Sequence, residues 1–465
     1  MLKAKNVDIV GGPILKSIVM FAIPVMIGSL IQVLFNAADL MIVGQMASEA
    51  EKDIATAAIG STSNIVNLLV NSFIGLSSGV SVLIARALGL GDEKRAKKIS
   101  YTAIITSIII GVIAMTACIV SASAFLEITD CPDDCIKEAQ LYLDIYAIGV
   151  PFIMFYNFGS AIIRTTGDTQ RPLYYIIISG VLNVALNIVF CLILEEKVAA
   201  VAIATTVSQI VSATCVCVHL LKVDGPCKLS LREISFSFSE LGKIFKIGFP
   251  SAVNSSLFSI ANLQITAAVN AYGSACMAGS AATSSLEGFG VAISNGFNSA
   301  VVPFVGQNVG AGKPKRVKQS IITCFILAAS TNFLICLGIY LLREPLLALY
   351  LPQGGLAVEF ASRKMVTVLL PYCIAFMYST LSASMQAFGY SFVPMLNSIV
   401  TVLGMRVIWM TFIYPALLGS QTPSIATMDY LYICFPISWV LCLIAHSIAF
   451  AIVYTRYKKG KIASV

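Results

Sequence analysis

Long apolar runs alternate with short polar connectors along the entire chain. A helix needs about 20 apolar residues to cross the hydrocarbon core of a bilayer. Runs of that order cover 15–47, 55–87, 99–125, 140–163, 173–194, 198–221, 241–270, 276–307, 318–342, 362–388, 392–418 and 428–454. The pattern predicts an all-α polytopic membrane protein with about twelve transmembrane helices. An even number places both termini on one side. No connector is long enough for a soluble domain, so the work of the protein is expected inside the bilayer.

The pattern also repeats. ALGLGDEKRAKK at 87–98 matches NVGAGKPKRVKQ at 308–319, an offset of 221 residues. Pro151 pairs with Pro371, Gly167–Pro172 with Gly389–Pro394, and Ala22-Ile23-Pro24 resembles Gly248-Phe249-Pro250. Each half holds six spans, so the repeats run parallel as two pseudo-symmetric six-helix lobes. That architecture puts a substrate site between halves. The expected organisation is an N-lobe at 1–221, a cytoplasmic linker at 222–240 and a C-lobe at 241–465. Prolines 24, 151, 250, 303 and 371 fall within or beside spans, where a proline kinks a helix. Bending there would support rocking between inward and outward states, and static packing explains it equally well.

Composition agrees with the membrane assignment: 58% of residues are apolar and 11% charged, against about 25% charged in soluble domains. The first apolar run exceeds a signal-peptide core and lacks a small-residue cleavage site, so no cleavable signal is expected. The net charge of +7 is scattered in short clusters, which excludes a nucleic-acid surface. Of 30 Lys and Arg, 23 fall on the side of the N-terminus, six on the other, and Arg406 lies within a span. Basic loops stay cytoplasmic, so both termini are assigned to the cytoplasm of a plasma-membrane protein. Most of the thirteen cysteines lie in apolar runs, where Cys acts as a small hydrophobe. Cys131 and Cys135 in CPDDC are compatible with a local disulfide, a weak metal site or a free pair.

Charges inside spans stand out because they are expensive there and commonly mark ion or substrate pathways. Asp39 lies in LFNAADLMIVG, in the outer half of span one; alone, it could also face a lumen or cap a helix end. Asn183 and Asn187 share one face of span five at i, i+4 spacing, and Thr205 enters span six from outside at the same depth. A carboxylate ringed by amide and hydroxyl oxygens suits a proton or a hard cation such as sodium; asparagines that only join helices are the simpler alternative. In the C-lobe, Glu287 and Arg406 each lie mid-span. They are expected to neutralise each other or to face water. Other motifs lack their context. Gly75-Leu76-Ser77-Ser78-Gly79 fits G-x-S-x-G but sits in an apolar span, where small residues serve helix packing. Gly310-Ala311-Gly312-Lys313 lacks the phosphate-loop spacing and reads as a tight cytoplasmic turn. Asn254-Ser255-Ser256 is a sequon inside a span. His219 and His446 have no metal-ligand spacing.

FAIP, LFNAADLMIVG, GLGDEKRAKK, IIRTTGDTQRP, SGVLNVALNIVF, AIATTVSQ and GQNVGAGKPKR, in this order, resemble the multidrug and toxic compound extrusion (MATE) family, most closely its DinF-like branch. The resemblance covers nearly the whole chain. It implies twelve helices in two lobes around a central cavity, and antiport of drugs against protons or sodium. By motif position the cation-site residues of that branch fall on Asp39, Asn183, Asn187 and Thr205. The branch commonly has aspartate where Asn187 stands, which leaves one carboxylate and favours a proton cycle through Asp39. The NorM-like branch uses carboxylates in helices seven and ten, but 250–272 and 365–388 contain no Asp or Glu.

The expected activity is secondary active export of amphipathic, cationic organic compounds by alternating access, without cofactor, by a monomer in contact with lipid. Proton and drug would compete for one charge. Candidate substrate contacts are Gln32, Asn36, Phe155, Tyr156, Glu287, Tyr372, Met385 and Arg406, with Phe35 and Met41 as further cavity-lining candidates. A lipid-linked glycan flippase of the same superfamily is the nearest alternative, disfavoured by twelve spans and a single deep arginine. A membrane-embedded enzyme is the other, disfavoured because no His or Cys pair shares a depth.

Overall fold

The computed structural model describes residues 6–46, 52–128, 135–230, 232–352 and 354–461. Its long helices follow the apolar runs. They are α1 (Ile14–Met46), α2 (Lys52–Gly89), α3 (Glu93–Ile128), α4 (Ile136–Thr165), α5 (Gln170–Ile193), α6 (Lys197–Lys222), α7 (Phe238–Asn270), α8 (Ser274–Gly310) and α9 (Pro314–Leu341). A short α10 (Arg343–Tyr350) precedes α11 (Leu356–Ala387), α12 (Phe392–Leu418) and α13 (Met428–Lys458). Among the described residues, eleven helices are long and apolar enough to cross a membrane. The chain is a multi-pass membrane protein. The twelfth long helix, α7, falls short because Asn254, Ser255, Ser256, Asn262 and Gln264 interrupt its apolar residues.

Two helices are not continuous α-helix. α11 contains a π-helical stretch at Met365–Leu369 and a tight 3-10 turn around Pro371. α12 carries two π-helical stretches, Ile399–Gly404 and Trp409–Ile413, with one α-turn holding Arg406 between them.

The helices form two compact units. One comprises Met1–Asp8 and Ile27–Ala252, the other Ile9–Met26 and Val253–Val465. Their limits differ from the expected lobes at α1 and α7, each of which changes unit near its proline, Pro24 or Pro250. In the first unit α4 packs on α2, α3 and α6, and α5 on α6. In the second, α8 packs on α9 and α11, and α11 on α9 and α13.

Glycines explain how each unit seats its borrowed half-helix. A Cβ on Gly75 of α2 would lie 2.5 Å from Ala252 Cα, and one on Gly79 2.6 Å from the Ile244 carbonyl. The backbones of α2 and α7 therefore touch, as small residues permit between membrane helices. In the second unit a Cβ on Gly296 of α8 would lie 2.8 Å from the Ala22 carbonyl of α1. Gly75 and Gly296 are related by the same 221-residue offset as the repeated turns. The G-x-S-x-G match is thus a packing surface.

The repeated turns also correspond. Gly91 and Gly312 adopt φ of 74° and 64°, a left-handed conformation that favours glycine. Arg95, just after the first turn, pairs with Glu240 at 3.3 Å at the start of α7. Arg316, its repeat partner, donates to the Ile9 and Gly12 carbonyls ahead of α1 at 3.1 and 2.7 Å.

Candidate functional site

The sequence places Asp39, Asn183, Asn187 and Thr205 at one depth, and the first unit brings their side chains together. Asn187 Nδ2 donates to Asp39 Oδ1 at 2.5 Å and to Asn183 Oδ1 at 3.3 Å. Asn183 Nδ2 in turn donates to Thr205 Oγ1 at 3.3 Å. The Thr205 hydroxyl also interacts with the Asp39 carboxylate. Asn183 and Asn187 are buried, and Asp39 and Thr205 half-buried. The i, i+4 spacing on α5 makes this chain possible, because both amides project from one face.

Two features of the cluster bear on its chemistry. Asn187 Oδ1 is buried and accepts no hydrogen bond. Together with the Asp39 carboxylate, the Asn183 amide oxygen and the Thr205 hydroxyl of the same hydrogen-bonded chain, it makes up a set of oxygens of the kind that suits a proton or a hard cation. The second feature was missed from sequence. Tyr142, buried on α4, lies within electrostatic range of Asp39 and stacks on Tyr146 at 6.0 Å. Two aromatic residues at i, i+4 on an apolar run carry no distinctive mark.

The expected substrate contacts scatter. Gln32 is exposed, while the side chain of Asn36 lies outside the described residues. Phe35 sits over Gly180 of α5, where any side chain would collide with its ring. Met41 is exposed. Phe155 and Tyr156 are half-buried, and the Tyr156 hydroxyl donates to the Pro172 carbonyl at 3.4 Å. Tyr372 is half-buried beside Trp439, ring centres 5.0 Å apart. Met385 is fully buried in helix packing and offers no surface to a ligand.

The expected pairing of Glu287 with Arg406 is not observed. Glu287 lies 3.7 Å from Lys364 Nζ. Lys364 stands near the outer start of the run 362–388, and because α11 already begins at Leu356 it lies within the helix and is buried. Its ammonium donates to the Ser280 carbonyl, Ser280 Oγ and Ser284 Oγ at 3.1, 3.3 and 2.6 Å. Its three hydrogens are thereby matched by neutral oxygens, and Glu287 adds charge at slightly longer range. The Tyr432 hydroxyl bonds Ser280 Oγ at 3.0 Å and its ring faces the ammonium.

Arg406 has other partners. Its Nη1 donates to Asn262 Oδ1 of α7 at 2.6 Å, and its guanidinium lies 4.2 Å from the Phe435 ring centre. It is 1% exposed. Asn262 is a neutral amide in a helix without acids past Pro250, so nothing in the sequence marks it as the partner of a guanidinium.

The remaining motifs have structural roles. His219 pairs with the Tyr175 hydroxyl at 2.9 Å, and His446 with the Cys442 carbonyl of its own helix. Lys313 follows Gly312 in a tight turn and donates to the Val10 carbonyl at 3.1 Å. Cys135 is buried, and Cys131 lies outside the described residues. Among the described residues no His, Cys, Asp and Glu cluster could hold a metal ion.

Comparison with known proteins follows the same duplicated plan. One family model, MatE, matches twice, over residues 24–189 and 250–414. This chain belongs to the MatE family. Both MatE matches begin at the helix prolines, Pro24 and Pro250. Among relatives, the chain is 26% identical over 399 residues to the probable multidrug resistance protein YoeA of Bacillus subtilis, covering 84% of this chain and 85% of that protein. It is 24% identical over 352 residues to an FAD transporter of Shewanella oneidensis, covering 74% and 75%. A solved structure of an outward-facing multidrug resistance MATE family transporter superposes with a TM-score of 0.86 at 22% identity, covering 99% of this chain and all of that one. That likeness establishes the fold of a MatE protein with two six-helix lobes.

Proposed function

We propose that this protein exports amphipathic organic compounds across the plasma membrane by alternating access, with both termini in the cytoplasm, and couples export to a proton or sodium gradient through Asp39. The observation that carries the proposal is the Asp39–Asn187–Asn183–Thr205 chain, a single carboxylate held among amide and hydroxyl oxygens within a membrane-spanning lobe. Relatives named as multidrug resistance and export proteins support the substrate class. The substrate leaves unconverted, and a monomer is the working unit.

Coupling follows from competition for one charge. A ligand can shift a two-state equilibrium only by its differential affinity for the two states. An ionised Asp39 favours the drug-bound state for a cationic compound; a proton or sodium ion on the carboxylate removes that attraction. Loading the ion from outside therefore releases the drug outward, and losing the ion to the cytoplasm restores affinity. The Asn187 and Asn183 amides orient the carboxylate. For sodium, Asp39, Thr205 and the free Asn187 carbonyl oxygen would be the ligands.

The test is transport of rhodamine 123 into and out of proteoliposomes under a proton gradient and a sodium gradient imposed separately. Wild-type protein should respond to one of them, and Asp39→Asn should lose that response while keeping its fold. Undiminished gradient-driven transport by Asp39→Asn would overturn the assignment.

A further inference from the structure

We propose that Arg406, with Asn262, forms an anion-recognition point in the C-lobe that receives a carboxylate or phosphate group of the exported compound. The proposal deepens the export function argued above and rests on it.

Arg406 is a guanidinium buried at mid-span, and arginine stays charged under all ordinary conditions. An ion removed from water costs several kcal/mol unless an opposite charge and hydrogen bonds compensate. Among the described residues no ion pair forms at Arg406, and Glu287, its expected partner, pairs with Lys364 instead. A guanidinium has five N–H donors in a planar fork. One Arg406 donor goes to Asn262 Oδ1, one face is covered by Phe435, and the Nε donor is buried with no acceptor. The positive charge and part of the fork are thus left for a partner that is not a protein carboxylate. A planar oxyanion matches what remains, because it takes two parallel N–H bonds from arginine.

Two further observations favour a ligand over a structural role. Arg406 occupies a single α-turn between π-helical stretches, and such departures from α-helix gather at functional sites. Its one hydrogen-bond partner, Asn262, is exposed on the polar stretch of α7 together with Gln264 and Thr266. An oxyanion reaching Asn262 would displace or share that side chain and meet the guanidinium directly beneath it. The C-lobe site would suit anionic amphiphiles, as Asp39 suits cations.

Fluorescence anisotropy with two xanthene dyes of similar size separates the charges: carboxyfluorescein, an anion, and rhodamine 123, a cation. Purified full-length protein in dodecyl maltoside, a detergent without phosphate, removes lipid headgroups as an alternative source. Asn262→Asp places a carboxylate where Asn262 Oδ1 now meets Arg406 and keeps the side-chain shape. It should weaken carboxyfluorescein at least tenfold and change rhodamine 123 less than twofold. Arg406→Gln should act in the same direction; if it does not fold, Asn262→Asp decides alone. Carboxyfluorescein affinity unchanged within twofold in Asn262→Asp, or no carboxyfluorescein binding by the wild type, overturns the proposal. Replacing chloride with gluconate should leave wild-type affinity within twofold; a tenfold gain would make chloride the occupant and overturn the assignment to substrate. Binding is read without transport, so a failure of gradient-driven transport would strike the export function and not this site.

Discussion

Asn187 donates an amide hydrogen to Asp39 at 2.5 Å while its own carbonyl oxygen is buried without a donor. An amide is the one neutral side chain of this size that can steady a carboxylate and still present a free oxygen beside it. The site therefore carries one negative charge at most, yet offers oxygens from four side chains.

Converting Asn187 to Asp should change the ion that the site prefers. Two carboxylates in contact cannot both ionise without a shared proton or cation. Asn187→Asp should gain thermal stabilisation in sodium chloride over choline chloride, approaching about 2.7 kcal/mol at sodium a hundredfold above its dissociation constant. Melting curves of the purified protein in the two salts measure it, and a variant blind to sodium would count against the cation-site geometry.

Lys364 and Glu287 should behave as a coupled pair and Arg406 as a stranger to both. Lys364→Met leaves Glu287 buried without its counter-charge and should cost about 3–5 kcal/mol. Adding Glu287→Gln should restore most of that loss. Glu287→Gln combined with Arg406→Gln should instead be additive within about 0.5 kcal/mol. Thermal unfolding of these single and double variants distinguishes the two partners.

Close packing at Gly75 should tolerate no methyl group. A Cβ there meets the backbone of Ala252, which cannot rotate away, so Gly75→Ala should destabilise by about 1–3 kcal/mol. Gly296→Ala should destabilise as well, because a Cβ there would lie 2.3 Å from Met26 Cγ and 2.8 Å from the Ala22 carbonyl. Gly60, with nothing within 4 Å, should accept alanine without loss. Detergent melting temperatures rank the three.

Cys227, in the connector between α6 and α7, should resist alkylation at neutral pH. It is 4% exposed, and burial pushes its thiol up to about 11. The thiolate is the reactive form, so the labelling rate should climb about tenfold per pH unit up to that value and level off above it. A variant retaining Cys227 as its only cysteine, labelled with a maleimide between pH 7 and 9, shows whether the slope is present.

Much of this was legible in the chain because helix depth can be counted. Asp39, Asn183, Asn187 and Thr205 were matched by distance along their spans, and α5 spacing supplied the shared face. Depth alone could not resolve Glu287 and Arg406, which lie at comparable levels but point to different neighbours; the direction around a helix depends on packing. The burial of Lys364 was not legible because hydropathy marks where apolar residues begin, at 362, whereas the helix begins earlier, at Leu356. Met385 shows the converse limit: a polarisable side chain in a span fits a cavity wall or a packed interior equally well until its neighbours are known. The exchange of half-helices at Pro24 and Pro250 was not read from hydropathy, which treats each helix as one run.

That exchange constrains how the protein can be made. Ile9–Met26 leaves the ribosome well before the rest of its unit, and Phe304, whose ring meets Phe21 edge-on at 5.6 Å, is synthesised far downstream. Domains usually fold in order of synthesis. Here the opening helix must wait in the membrane half-placed, and the first unit closes only when Ala252 has emerged beyond the connector. A nascent chain halted at 222–240 would hold no finished lobe, so the two halves reach maturity together.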